Sequence, residues 1–291
     1  MYCKFFGFSE KPFDVTPQPR FLYLSSAHRE ALASILYGIR ERRGFITLVG
    51  EVGTGKTTVL RATLDQLDEK TGVAVIINPE LPFIDILALI LNELGLSKPK
   101  QKISKVQALH RLNQFAIRQL AQNGNVVLMV DEAQHLSSNA LENLRLLSNL
   151  ESRERKLIQI LLAGQPELDL KLSRHDMRQL VQRISLKRYI MPLSRKETCE
   201  YIQHRLQVAG YGRRRFFSDR ALTLIWKFSR GLPRRINILC DNALLIAYGR
   251  NKKKVKAAVM KEAVKDLSYS PFVNTGKRRW FWFNRKKAAM V

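Results

Sequence analysis

Apolar residues along the first half of the chain gather in short unbroken runs, and the stretches between them carry helical spacing. Phe45-Ile46-Thr47-Leu48-Val49, Val73 to Ile77, Val126-Val127-Leu128-Met129-Val130 and Leu157 to Ala163 are five to seven residues long. Runs of that length and composition fit strands buried on both faces. Between them, Leu32, Ile35, Leu36 and Ile39 share one helical face behind Ser25 or Ser26 as N-cap. Further helical patterns cover about 58–68, 83–94, 104–122 and 138–150. Strands alternating with helices predict an α/β fold, a parallel sheet with helices on both faces.

After Pro166 the strand-like runs largely stop. Helical patterns follow at about 195–209, 218–229, 233–249 and 256–267, punctuated by Gly210-Tyr211-Gly212 and by Gly231 with Pro233. Four segments are expected: an aromatic and proline-rich lead-in over 1–25, irregular but packed; an αβα core over 26–190; a small all-helical domain over 191–270; and a basic–aromatic tail over 271–291. The tail contains Lys277-Arg278-Arg279-Trp280-Phe281-Trp282-Phe283-Asn284-Arg285-Lys286-Lys287.

Composition narrows the class. The 291 residues are 45% hydrophobic, enough for a sizeable core. Cys3, Cys199 and Cys240 are far apart and odd in number, which reads as reduced thiols in a cytoplasmic protein. The N-terminus lacks a signal-peptide pattern, and no run of about 18 apolar residues is present. Charge is lopsided: residues 1–170 hold 20 Lys and Arg against 18 Asp and Glu, whereas residues 171–291 hold 30 against 7. The second half is therefore expected to meet something anionic, whether nucleic acid, an acidic membrane face or an acidic protein.

The first apolar run leads directly into Gly50-Glu51-Val52-Gly53-Thr54-Gly55-Lys56-Thr57, a G-x-x-x-x-G-K-T pattern between a strand and a helix. Its glycines let backbone N–H groups curl around phosphate oxygens, and the helix N-terminus adds positive potential. Lys56 supplies charge for the outer phosphates and Thr57 a hydroxyl for Mg²⁺. The expected nucleotide contacts are Gly50, Val52, Gly53, Thr54, Gly55, Lys56, Thr57 and Thr58. The run 126–130 ends in Asp131-Glu132, which places one carboxylate to hold Mg²⁺ with Thr57 and a second, Glu132, to polarise the attacking water. Gln165, at the tip of the run 157–163, is the candidate to orient that water; a plain turn residue is the alternative. Arg234, with Arg235 second, stands where the helix dipole disfavours a cation, which suggests a phosphate partner or else a solvated pair. Arg183, or Arg178, is a candidate arginine finger reaching a neighbouring subunit's nucleotide, with an ordinary surface arginine as the alternative.

Taken in order, Gly50–Thr57, Asp131-Glu132-Ala133-Gln134, Gly164-Gln165-Pro166 and Gly231-Leu232-Pro233-Arg234-Arg235 resemble an AAA+ ATPase. Phe5-Phe6-Gly7, Lys11-Pro12-Phe13, Phe21-Leu22-Tyr23-Leu24-Ser25, His28-Arg29-Glu30-Ala31-Leu32, Gln182-Arg183-Ile184 and Arg235-Ile236-Asn237-Ile238-Leu239-Cys240-Asp241 are similar to the secretion-type A (ExeA/GspA-like) group. That group includes ATPases of mannose-sensitive pilus assembly, and the likeness covers about residues 1–270. The resemblance implies a P-loop NTPase (RecA-like αβα) core with a helical lid, and ATP at their junction, often at a subunit boundary. It implies Mg-dependent hydrolysis, homo-oligomers, envelope secretion or pilus assembly proteins as partners, and action from the cytoplasmic face. Arg234 would sense nucleotide from the lid. Larger members add a membrane span and a peptidoglycan-binding domain; neither is expected here. The tail over 277–287 is instead expected to lie peripherally on the anionic inner membrane. The runner-up is a nucleic-acid-associated AAA+ switch of the transposition or origin type, whose basic half would track a phosphate backbone.

Overall fold

Each apolar run of the first half forms a strand in the computed structural model, which describes residues 1–16, 18–77, 79–98, 103–151, 155–212 and 215–268. The elements are, in chain order, α1 (Tyr2–Phe6), α2 (Ser26–Arg40), β1 (Phe45–Gly50), α3 (Lys56–Leu64), β2 (Thr71–Ile76), α4 (Phe83–Glu93), α5 (Lys105–Ala121), β3 (Asn125–Val130), α6 (Ser138–Leu147), β4 (Ile158–Gly164), α7 (Pro166–Leu172), α8 (Arg178–Val181), β5 (Ile184–Ile190), α9 (Arg195–Val208), α10 (Asp219–Ser229), α11 (Pro233–Gly249) and α12 (Ala257–Ser268). Contacts divide them into two units, Leu24–Met191 and a second made of Met1–Tyr23 with the chain from Pro192 onward.

The first unit is a five-stranded sheet in the order β2-β3-β4-β1-β5, parallel throughout. All six positions of β1 and all seven of β4 are buried, as central strands covered on both faces must be. Side chains alternate between the faces. Phe45 and Val49 join the core beneath α4 to α8, while Ile46 faces α2. Each fully buried Leu or Ile here contributes about 1.5–3 kcal/mol relative to exposure. Gly38 lets α2 lie close on the sheet: a Cβ there would stand 2.7 Å from Ile46 Cδ1 and 2.6 Å from Leu186 Cδ1. Helix starts are chemically marked. Ser25 accepts from the His28 N–H, and Ser104 with Gln107 closes a capping box on α5.

Strand β5 corrects the expectation that strands stop after Pro166. Its sequence, Ile-Ser-Leu-Lys-Arg-Tyr-Ile, pairs on one side only, with β1, and Lys187 and Arg188 lie exposed on its two opposite faces. A polar edge strand lacks the apolar density that marks a buried one, and its charges guard the open edge.

In the second unit, the segment expected to be irregular contains α1 and contributes Tyr2, Phe6, Phe8, Phe13 and Phe21 to a core shared with α9 to α12. Phe6 meets Phe216 edge-on at 5.1 Å, and Phe8 meets Tyr211 at 5.7 Å. Arg205, 5% exposed, straps this segment down. Its guanidinium donates to the Pro12 carbonyl (2.5 Å), the Asp14 carbonyl (3.1 Å) and Tyr201 Oη (2.9 Å), and lies 4.6 Å over the Phe21 ring. Residues 269–291, and with them the tail assigned to the membrane, lie outside the described residues.

Candidate functional site

The loop between β1 and α3 bends through Gly53 (φ 79°) and Gly55 (φ 102°), two left-handed positions that an L side chain adopts at a cost. Thr54 between them is buried; its hydroxyl donates to the Glu51 carbonyl at 2.8 Å and its N–H to the same oxygen at 3.2 Å. Gly50 is equally constrained, because a Cβ there would meet Thr54 Oγ1 at 2.7 Å. The result is a tight hollow closed by the N-terminus of α3, where Gly55 is the N-cap and contributes no side-chain hydrogen bond. Backbone N–H groups arranged this way suit an anion. Val52 is 51% exposed at the loop tip, so it can contribute backbone but not a side-chain wall. Thr58 is half-buried in the first turn of α3.

Lys56 is 5% exposed and donates to the carbonyls of Gly50 (2.9 Å) and Glu51 (3.2 Å). Burial pushes its ammonium below the ordinary lysine value, against the opposing pull of Glu132 and Asp131. Thr57 Oγ1 donates to Asp131 Oδ2 at 2.7 Å, while Asp131 Oδ1 accepts from the Glu132 N–H at 2.9 Å. Strand β4 lies between β1 and β3, so the strand carrying Asp131 is not the immediate neighbour of the loop strand. Thr57 spans the gap because α3 crosses over β4. A hydroxyl and a carboxylate oxygen within 2.7 Å form a hard, oxygen-only donor pair of the kind that holds Mg²⁺ together with phosphates and water. The residues therefore fit that ion.

Glu132 adopts a left-handed backbone (φ 52°, ψ 37°), sparsely populated by non-glycine residues and typical of functional positions. It begins a single 3-10 turn over Ala133–His135. Both Gln134 Nε2 (2.5 Å) and Gln165 Nε2 (3.0 Å) donate to Glu132 Oε2. Gln134 Oε1 accepts the Gln165 N–H at 3.0 Å, so one side chain joins the tips of β3 and β4. Burial opposes the charged form of Glu132, but the hydrogen bonds from Gln134 and Gln165, helped by the Lys56 charge, hold its carboxyl below the ordinary glutamate value. From α7, Lys171 Nζ reaches the carbonyls of Gln134 (2.6 Å) and Leu136 (2.5 Å) and pins the turn.

Lys56, Thr57, Asp131, Glu132 and Gln165 thus converge at the C-terminal ends of β1, β3 and β4. Arg183 does not join them. It precedes β5 at Ile184, whose partner is Phe45 at the start of β1, so it stands about 20 Å, one strand's length, from the loop that leaves the other end. Arg145 holds the Glu142 carboxyl, and Lys156 the Glu151 carboxyl, below the ordinary glutamate value, and Arg183 adds a smaller pull on each. Arg178 is exposed on α8. Arg234 is exposed and Arg235 half-buried in the first turn of α11, within the second unit. Three supporting residues were not singled out for the site from sequence: His28, Gln134 and Lys171. Gln134 had a usable signal in its place two residues after Glu132. Lys171 had none, because its contacts are tertiary, and His28 had only its place in the stretch 28–32 that carries the family resemblance.

An order of 2-3-4-1-5 in a parallel sheet, with the glycine loop after the fourth strand in that order and acid and amide at the next tips, defines a P-loop protein of the AAA+ class. A family profile described as an AAA domain matches residues 39–172. Solved structures share the fold at low identity. The ORC2 protein of Aeropyrum pernix superposes with a TM-score of 0.65 at 22% identity, over 88% of this chain and 71% of that one. Cdc6p of Pyrobaculum aerophilum gives 0.65 at 18%, over 91% and 70%. The RuvB branch migration motor of Thermotoga maritima gives 0.56 at 18%, over 84% and 70%. In sequence, General secretion pathway protein A of Aeromonas hydrophila is 45% identical over 256 residues, 88% of this chain and 46% of that protein. The chain thus has a P-loop AAA+ fold and resembles the ExeA/GspA-like ATPases, and it spans about half the length of that relative.

Proposed function

We propose that the chain binds ATP with Mg²⁺, hydrolyses it, and uses the cycle to power or regulate assembly of an envelope secretion or pilus system from the cytoplasmic face. The observation that carries this reading is the Thr57–Asp131 hydrogen bond beside a glutamate held by two amides. In this reading Gly50, Gly53, Thr54, Gly55 and Lys56 cradle the phosphates with Val52 and Thr58 alongside, and Thr57 and Asp131 hold the ion. When bound, Mg²⁺ neutralises the charge that builds on the phosphate oxygens. Glu132 accepts the proton of the attacking water, and Gln165 fixes both the water and the carboxylate.

The link to secretion rests on the name of the relative from Aeromonas hydrophila. Placement of Arg183 a strand's length from its own loop favours a role across a subunit boundary, and with it a homo-oligomer. Arg234 would then report nucleotide from the lid. The second unit also presents Arg250, Lys252, Lys253, Lys254 and Lys256 within seven residues, all exposed. That cluster, with 277–287 beyond it, suits the anionic inner-membrane surface in a peripheral mode. It would equally suit a nucleic acid, the second choice, which a salt-resistant, sequence-dependent affinity would favour.

Glu132→Gln is the direct test. Loss of a general base lowers turnover by roughly 100-fold or more, while MgATP affinity stays within about threefold of the parent. Unchanged turnover in this variant would remove the assignment of Glu132 as the group that activates the water.

A further inference from the structure

An anion cradle has a geometric demand that its glycines do not meet. In a trans peptide the N–H and C=O point in opposite directions, so every N–H aimed at the anion sends a carbonyl backward into the protein. In this loop the Thr54–Gly55 peptide faces that problem most acutely. Gly55 has no Cβ and sits at φ 102°, where rotation of the peptide meets little steric resistance. The rotated form would place a carbonyl, not an N–H, toward the phosphates.

His28, on the first turn of α2, addresses that carbonyl. It is 3% exposed, with Nε2 2.8 Å from the Thr54 oxygen and Nδ1 2.6 Å from Ser25 Oγ. A carbonyl only accepts, so Nε2 carries the proton and Nδ1 takes the Ser25 hydroxyl. The ring is held at its other edge by the α2 N-cap and lies so close that a Cβ on Gly55 would be 2.7 Å from Nε2. Resting on the reading of 50–57 as the nucleotide site, we propose that His28 is a positioning residue of the phosphate loop. It selects the orientation of the Thr54–Gly55 peptide in which the Gly55 N–H faces the anion. Helix α2 thereby becomes part of the phosphate site.

A donor is what matters, so replacements that keep or lose it separate this role from simple packing. His28→Leu is expected to weaken MgADP binding by about tenfold, the scale of one buried hydrogen bond left unmade. Inorganic pyrophosphate should lose affinity by the same factor, because the peptide serves phosphates and not the base. His28→Gln, whose amide nitrogen reaches the Nε2 position, should stay within about threefold of the parent. Where His28→Leu fails to fold, His28→Asn replaces it; its amide is one methylene too short for the Thr54 carbonyl, and the tenfold loss is expected again. Parent-like affinity in the Leu or Asn variant overturns the proposal, as does an equal loss in the Gln variant, which would mark His28 as packing. A loss for MgADP without one for pyrophosphate overturns it too. Lys56→Ala, measured in parallel, isolates the underlying reading: if that variant binds MgADP like the parent, the nucleotide site itself is misassigned, whatever His28 does.

Discussion

Gln134→Leu isolates the device that sets the charge of Glu132. The side chain makes two hydrogen bonds: its amide donates to the Glu132 carboxylate at 2.5 Å, and its oxygen accepts the Gln165 N–H at 3.0 Å. Leucine nearly conserves volume and removes both. A hydrogen bond to a charged group contributes about 1.5–3 kcal/mol. If the loss falls on the transition state, kcat drops by roughly 10- to 100-fold, with the KM for ATP little changed because the loop is untouched. The pH dependence is the sharper readout. Burial raises the Glu132 pKa, and the two amides with Lys56 outweigh it, so the folded value lies below the ordinary one. A depressed carboxyl stabilises the fold above its unfolded pKa, and that contribution is lost as pH falls through the folded value. Removing one amide lets burial count for more, so the acid limb of kcat, and with it the onset of acid unfolding, must move to higher pH. Turnover at saturating MgATP from well below the ordinary glutamate pKa of about 4.3 up to neutrality, with circular dichroism across the same range, measures both. An acid limb that stays in place, or moves to lower pH, would refute the argument that Gln134 holds the carboxylate ionised.

Two further outcomes follow from the structure. Arg205→Leu orphans the Pro12 carbonyl, leaves the Asp14 carbonyl with Asn237 Nδ2 as its remaining donor and removes the cation from the Phe21 ring, so the second unit should lose on the order of 3 kcal/mol by chemical denaturation; a loss under about 1 kcal/mol would show that the strap is decorative. Arg183→Ala should leave MgATP affinity intact and lower turnover by about 10³-fold or more, and mixing it with Glu132→Gln should restore part of the activity, since each subunit would supply what the other lacks. No recovery on mixing would count against a finger acting between subunits.

How much of this was legible in the sequence depended on where each signal is written. The phosphate loop is encoded locally: Gly53, Gly55, Lys56 and Thr57 are neighbours whose backbone needs fix their identities, so position and role could be read together. Buried strands were legible because β1, β3 and β4 are apolar at nearly every position. Strand β5 was not, since an edge strand stabilised by one neighbour can afford Ser185, Lys187 and Arg188 and leaves no run to detect. The same logic divides the site. Asp131 and Glu132 advertise themselves at the end of an apolar run, and Gln134 follows two residues on, whereas other groups that support the site are written elsewhere: Lys171 on a helix over 30 residues away that reaches back by its ammonium, and His28, before the first strand, against the phosphate loop. Lys171 and His28 act on backbone carbonyls, partners that every residue offers, so no pairing of side-chain types could reveal them. Sequence spacing therefore exposes the atoms proposed to touch substrate. The residues that orient those atoms become visible only when the question turns from which side chains are present to where each buried carbonyl finds its donor.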